Sequence, residues 1–289
     1  MLTTGNPVRT LFRSALVEIG EFRCAPAHEN FRRAGAITQH CFVFPRRAVW
    51  IQHEGERPFL ADATRITFYN PGQPYERRAL DPVGDASDWI TVSDELAREV
   101  VGRIDGQAAE APVGAFRWAY GQSGAGLYVA RRLLHGELRR TSRLDSLLVE
   151  ERAIDLFGRA ASALYASRGA SSHRGIARKR GGRDLAEAVS AHLSRTFGDD
   201  QDLATIAKAV GASEFHLCRV FRRETGLSIH AYRTQLRLRH ALEAMDRRDV
   251  DLLALALDVG YSGHSHFTAA FRKHFGMSPS QVRARCSLV

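Results

Sequence analysis

Lysine is almost missing from this sequence, and so is any pattern that would send the chain into a membrane or out of the cell. Only Lys179, Lys208 and Lys273 are lysines; every other basic residue is arginine. Arginine suits bidentate contact with phosphate and guanine, but the bias runs through the whole chain, so codon composition is the plainer source of it. No apolar run approaches the roughly 18 residues that cross a bilayer. The first residues, MLTTGNPVRTLFRSALVEIG, lack a long apolar core and a small-residue cleavage site, so no secretory signal is expected. The four cysteines, Cys24, Cys41, Cys218 and Cys286, are scattered without CxxC spacing and read as reduced thiols. The cytoplasm is the expected address.

What is present is a globular composition: 44% hydrophobic and 25% charged in 289 residues, enough for two domains of ordinary size. The net charge of +9 is unevenly placed. Residues 174–289 hold 19 Lys+Arg against 12 Asp+Glu, whereas residues 1–173 hold 22 against 20. A basic final third on a near-neutral remainder points to a polyanion partner for that third alone.

The patterning divides in the same way. Short strands are expected around Leu16 to Phe22. From His40 the stretches HCFVFPRRAVWIQHE, RPFLADATRITFYNPGQPYERRAL and DWITVS carry aromatic and β-branched residues between turn formers, which reads as a sandwich or small barrel. After about residue 94 the apolar period lengthens to three and four, the spacing of amphipathic helices. Residues 168–183, RGASSHRGIARKRGGR, are rich in Gly, Ser and Arg and read as a linker. Everything beyond reads as helix.

Within that helical third one segment is written twice. GASEFHLCRVFRRETGLS at 211–228 shares its frame with GYSGHSHFTAAFRKHFGMS at 260–278: Leu217, Phe221, Gly226 and Ser228 recur as Phe267, Phe271, Gly276 and Ser278. Before the first copy, Leu203, Ile206, Ala207 and Val210 form one helical stripe; before the second, Leu252, Leu255, Ala256 and Val259 do. Gly211 and Gly260 supply the turns. Each copy is helix, glycine turn, helix, the helix-turn-helix whose second helix enters the major groove. The first helices are offset by 49 residues and the second by 50, so the second turn carries one extra residue. Ser228 is expected to cap a long connecting helix, and SPSQ at 278–281 is a capping box with proline at the first helical position.

This arrangement resembles the AraC-type (AraC/XylS) transcriptional regulators, on the strength of LATIAKAVGAS, HLCRVFRRETGLS, YRTQLRLRHAL, ALDVGYS and SHFTAAFRKHFGMSP, from about Asp184 to Arg285. The resemblance implies an all-α DNA-binding domain at 184–286, with helix-turn-helix units at about 203–224 and 252–275, whose recognition helices enter successive major grooves of promoter DNA. By matching the family motif, the base-contact candidates are Phe215, Cys218 and Arg219 on the first helix and His264, Ser265, Thr268 and Ala269 on the second. Arg219 can grip guanine O6 and N7 together, and Phe215 and Thr268 can touch thymine methyls. His216, Arg222, Arg223, Arg272 and Lys273 are candidates for phosphate contact. Arg222, Arg223 and Arg272 have the alternative of being solvated charges, and Cys218 of being turned inward. The histidines of HSH, His264 and His266, lie two apart on a helix and point in different directions, which counts against a metal site.

For the N-terminal half the same resemblance implies a cupin-like β-barrel at 1–125 that binds an effector or mediates pairing. Residues 126–167 then form a helical dimerisation or connecting segment, and the fold class is α+β in two domains. The stripe Leu133, Leu134, Leu138, Leu147, Leu148, Ile154 and Leu156 suits a helix-on-helix contact or packing on the barrel equally. The implied partners are double-stranded DNA, RNA polymerase, a small-molecule effector and a second copy of the chain, with no cofactor and no membrane. The rival reading is a metal-dependent cupin enzyme with an accessory helical domain. It lacks the HxH spacing, offering only His40 and His53 singly. Cys24, His28, His40 and Cys41 are a conceivable soft-metal set, but adjacent His40 and Cys41 face opposite sides of a strand. A third reading, a module acting through protein partners without DNA, runs against the arginines on both recognition helices.

Overall fold

The computed structural model describes residues 6–32, 37–109, 114–141, 144–172, 180–245 and 250–287. The chain divides into two compact units, Met1–Arg174 (with Val289) and Gly175–Leu288.

The first unit holds strands β1 (Val8–Arg13), β2 (Val17–Cys24), β3 (His40–Pro45), β4 (Val49–His53), β5 (Phe59–Ala61), β6 (Arg65–Tyr69), β7 (Tyr75–Ala79), β8 (Asp85–Val92) and β9 (Tyr120–Gln122). Its helices are α1 (Asp94–Gly102), α2 (Gly106–Ala109), α3 (Ala125–Arg140) and α4 (Ser146–Ser172). The strands form a six-stranded sheet in the order β1-β2-β8-β3-β6-β9 and a three-stranded sheet β5-β4-β7, rather than a closed barrel. Every pairing is antiparallel.

Alternation along the large sheet explains its layers. Ile19, Phe42, Phe44, Ile66, Phe68, Ile90 and Val92 point to one side and are buried with Leu134, Leu138, Leu156 and Phe157 of α3 and α4. The helical stripe therefore packs on the sheet at Leu134, Leu138 and Leu156, whereas Leu147 and Leu148 are exposed. The intervening residues, Phe22, Cys24, Cys41 and Tyr69, point the other way and meet Val49, Ile51, Phe59 and Ala61 of the small sheet. A cavity of about 270 Å³ lies between the sheets.

On the helix side, Glu21 and Asp88 are cross-strand partners and both are buried, a placement that like charges disfavour unless countered. Helix α3 supplies the countercharges. Arg131 donates to Asp88 and Arg139 donates to Glu21, while Arg46 lies 3.5 Å from Asp88. Arg131 and Arg139 are eight apart, two turns along one helical face. Burial alone would raise the Asp88 pKa, but His135, followed by Arg131, Arg46 and Arg139, holds it far below the ordinary carboxylate range.

His40 and Cys41 do face opposite ways. His40 sits in the helix-side core, its Nε2 accepting from the Ala115 N–H at 3.0 Å, and Cys41 sits between the sheets. His28 Nδ1 accepts from the Asn30 N–H. Among the described residues no group of three or more His, Cys, Asp or Glu is placed to hold a metal ion.

His53 is buried against Phe59, Tyr69 and Tyr75, and burial pushes its pKa down to about 4. The unfolded chain takes up this proton near pH 6.5. Between those values the unfolded state binds more protons, so stability is complete above about pH 6.5 and falls as pH drops toward 4. The loss is on the order of 3 kcal/mol for this residue. Thermal unfolding followed from pH 7 to 4.5 should show a falling midpoint, with a shallower fall in His53→Phe; a flat wild-type profile would contradict it.

The second unit contains α5 (Arg180–Thr196), α6 (Leu203–Ala209), α7 (Glu214–Thr225), α8 (Ile229–Ala244), α9 (Leu252–Asp258), α10 (His264–Phe275) and α11 (Pro279–Ser287). The stretch 168–183, expected as a linker, holds the boundary between the two units, and its described ends are helical. Residues up to Ser172 continue α4 and those from Arg180 begin α5. Extending a formed helix needs no new nucleus, so glycine and serine at its end do not stop it. The rest of that linker lies outside the described residues. No helix among the described residues is long and apolar enough to cross a membrane.

Candidate nucleic-acid interface

The two copies fold into matching pairs, α6–α7 and α9–α10. The first helices are displaced by 49 residues and the second by 50, so the extra residue sits in the second turn. In the first pair Ile206 and Ala207 pack with Leu217 and Phe221. In the second, Leu255 and Ala256 are buried with Phe267 and Phe271. Both recognition helices stop at a glycine in the left-handed region, Gly226 at φ +77° and Gly276 at φ +76°, which a side chain would strain.

Their starts differ. Ser213 caps α7, its hydroxyl accepting from the His216 N–H. The extra residue puts Gly263 at the start of α10, with no side-chain cap, and Ser262 Oγ lies 3.4 Å from His266 Nδ1 instead. Ser228 caps α8 through the Ala231 N–H. The capping box at α11 is complete: Ser278 Oγ accepts from the Gln281 N–H and Gln281 Oε1 accepts from the Ser278 N–H.

The outward faces carry the residues that the sequence singles out. Phe215 is 80% exposed, an unusual position for a large ring without a partner. His216, Cys218, Arg219 and Arg222 are exposed with it, so the Cys218 thiol points outward. On α10, His264, Ser265, Ala269, Arg272 and Lys273 are exposed. Thr268 is half-buried, and its hydroxyl oxygen is covered, which leaves surface contact to the rest of the side chain. Arg223 differs from the other arginines, since its guanidinium pairs with Glu224 at 2.7 Å and is partly committed within the protein.

A further arginine joins the two pairs. Arg237 on α8 donates through Nε to the Phe197 carbonyl at 2.6 Å, through Nη1 to the Gly260 carbonyl at 2.8 Å and through Nη2 to the Asp199 carbonyl at 3.0 Å. One fork thus holds the turn that leads into α6 and the turn that leads into α10. One helical turn earlier Arg233 donates to the Gln201 carbonyl at 2.7 Å. Four-residue spacing puts both on one face of the connecting helix, which is the only signal visible beforehand. Gly260 fits only as glycine, because its φ is +85° and a Cβ there would lie 2.6 Å from Arg237 Nη2 and from the Gly198 carbonyl oxygen.

Comparison with known proteins agrees with this geometry. Residues 206–285 match the family model described as Helix-turn-helix domain. The chain is 33% identical over 100 residues to the probable transcription factor PqrA of Proteus vulgaris, covering 35% of this chain and 80% of that protein. It is 34% identical over 101 residues to the transcriptional activator RhaR of Klebsiella pneumoniae, covering 35% of this chain and 34% of that one. The chain covers about a third of the length of several other curated relatives. Among solved structures it is similar to ToxT from Vibrio cholerae O395, with 12% identity, 96% of this chain and 100% of that one covered, and a TM-score of 0.36.

Proposed function

Because the chain belongs to the AraC-type family of DNA-binding transcription regulators, we propose that it reads a promoter by laying α7 and α10 in successive major grooves, under the control of its first unit. The observation that carries this is the pair of recognition helices on repeated scaffolds, both with their polar and cationic faces uncovered. Arg219, with no intramolecular partner among the described residues, reads a guanine. Phe215, Cys218, His264, Ser265, Thr268 and Ala269 line the base edges. Arg222, Arg272 and Lys273 neutralise phosphate, joined by His216 and, less fully, by Arg223. The second unit's excess of positive charge adds affinity without sequence information.

In this reading the protein acts in the cytoplasm as a non-enzyme. RNA polymerase is the partner at the promoter, a second copy can occupy an adjacent site, and a small-molecule effector enters the cavity between the two sheets. The domain limits follow the sequence reading: a regulatory part to about residue 125, a helical segment to 167 and a DNA-binding part from 184.

Binding-site selection with purified protein tests the proposal. Arg219→Ala should lose discrimination at one base pair, at a cost of about 1–3 kcal/mol. Arg222→Ala should weaken all sequences alike and flatten the salt dependence by about one unit of slope. An unchanged sequence preference in Arg219→Ala would remove α7 from base reading.

A further inference from the structure

The cavity between the sheets is walled mostly by aromatic and aliphatic groups. The Tyr69 and Tyr75 rings meet at 4.8 Å, and Phe22, Trp89, Val43 and Ile51 complete that wall. Trp89 is seated there by an absence, since a Cβ on its cross-strand partner Gly20 would fall 2.2 Å from the indole. Glycine in a strand interior is otherwise a weakness, so this one makes room for an aromatic surface.

Three charged groups line the same space: Glu18, which pairs with Arg13 at 2.7 Å, and Arg77 and Asp85, paired at 3.1 Å and both buried. A buried arginine in a pocket ordinarily suggests an anionic ligand. Here each of its nitrogens is already donating: Nε to the Phe31 carbonyl at 3.0 Å, Nη1 to Asp85 and Nη2 to the Asn30 carbonyl at 3.2 Å. Its face is covered too, lying 4.0 Å from the centre of the Phe22 ring. An incoming carboxylate would therefore find three of the five N–H groups taken and the like charges of Asp85 and Glu18 beside it.

The open valence belongs to the other partner. Asp85 Oδ2 takes the Arg77 bond, while Oδ1 is buried with no hydrogen-bond donor among the described residues. Buried acceptors are rarely left so. What this oxygen lacks is an N–H or O–H. Asp85 is already matched by Arg77 and Glu18 by Arg13, so no unpaired charge is left to favour an added cation, and the donor comes from an uncharged group.

Resting on the reading of this cavity as the effector site, we propose that its ligand is a small, uncharged aromatic molecule of one or two fused rings, donating a hydroxyl or ring N–H to Asp85 Oδ1 and stacking on the tyrosine and tryptophan wall. The size is apt: a dry cavity of about 150 Å³ holds benzene, and this one is about 270 Å³. A site built around an unmet hydrogen bond rejects molecules lacking it.

Calorimetric titration of the full chain with phenol, indole, toluene and benzoate tests the assignment. Phenol and indole should bind about tenfold or more tighter than toluene and benzoate. Asp85→Asn, which keeps the shape but weakens the acceptor, should bring phenol close to toluene. Val43→Phe, which fills the cavity and leaves the ion pair intact, should abolish binding of both and remains informative if Asp85→Asn folds poorly. Benzoate binding as tightly as phenol, the absence of binding by either donor, or phenol binding unaltered in Val43→Phe would each overturn the proposal. Promoter affinity measured with and without saturating phenol reports separately on control: an unchanged affinity with phenol bound would refute effector control and leave the ligand class standing.

Discussion

Replacing Arg237 with alanine should lower affinity for a promoter site spanning two grooves by about tenfold to a hundredfold, while binding to DNA carrying one half-site changes less than about threefold. Two linked reading heads gain affinity from being held at the spacing of their targets, and that gain erodes when the geometry loosens. Arg237 holds three carbonyls from the two turns at 2.6 to 3.0 Å, and alanine leaves all three without that donor. The variant should also tolerate an inserted base pair between half-sites better than the wild type does. Arg237→Lys should behave nearly like alanine, because an ammonium cannot reproduce a planar fork. Fluorescence anisotropy at one fixed salt, on full sites, half-sites and sites with altered spacing, checks it. Equal loss on every DNA would show a general loss of folding, and no loss on the full site would remove Arg237 from the joint.

The second large effect is expected in the first unit. Asp88→Ala should destabilise it by about 3–5 kcal/mol, the usual cost of leaving a buried charge without its partner. Arg131 and Asp88 are both fully buried, and without the carboxylate Arg131 is left beside Arg46 and Arg139. Asp88→Asn keeps a hydrogen-bond acceptor and should lose less. Chemical denaturation of the full chain should show the transition of the first unit moving while that of the second stays in place. Acid acts on the same pair: the depressed Asp88 pKa contributes stability above the ordinary carboxylate range, and this is lost as pH falls below about 4 toward the folded value. A variant as stable as the wild type would mean that α3 is held to the sheet by its apolar residues alone.

Legibility differed between the two units for a physical reason. The helical repeat was readable because its information is local: stripes at three and four, glycine at the turns and serine at the caps are all set within a few residues of one another. The offsets of 49 and 50 and the completed capping box at Ser278 follow from spacing alone. In the first unit the strands were readable in outline from alternation. Their pairing was not, since β2 lies beside β8 and β6 beside β9 across long stretches of chain. The short strand β9 carried too little pattern to be found, and the extent of α4 and α5 into the supposed linker was hidden by their glycines and serines.

Arg219 on α7 and His264 on α10, the base-contact candidates that the family resemblance supplied, do lie on exposed faces, since a helix whose buried face is known has its outer face known as well. The residues that bring distant parts together were not. Arg237 reads as one more arginine on an amphipathic helix, Asp88 as one more acid in DASDWITVS, and Asp85 as a turn residue after glycine. Their roles depend on which backbone carbonyls, guanidinium groups or cavities the fold carries to them from other elements, as far as 43 residues away for Asp88 and Arg131. Periodicity by itself determined the two helix pairs and the face that each buries. Only the tertiary structure decided what joins them and which buried oxygen awaits a partner, because hydrogen bonds and ion pairs between distant segments leave no periodic trace in the chain.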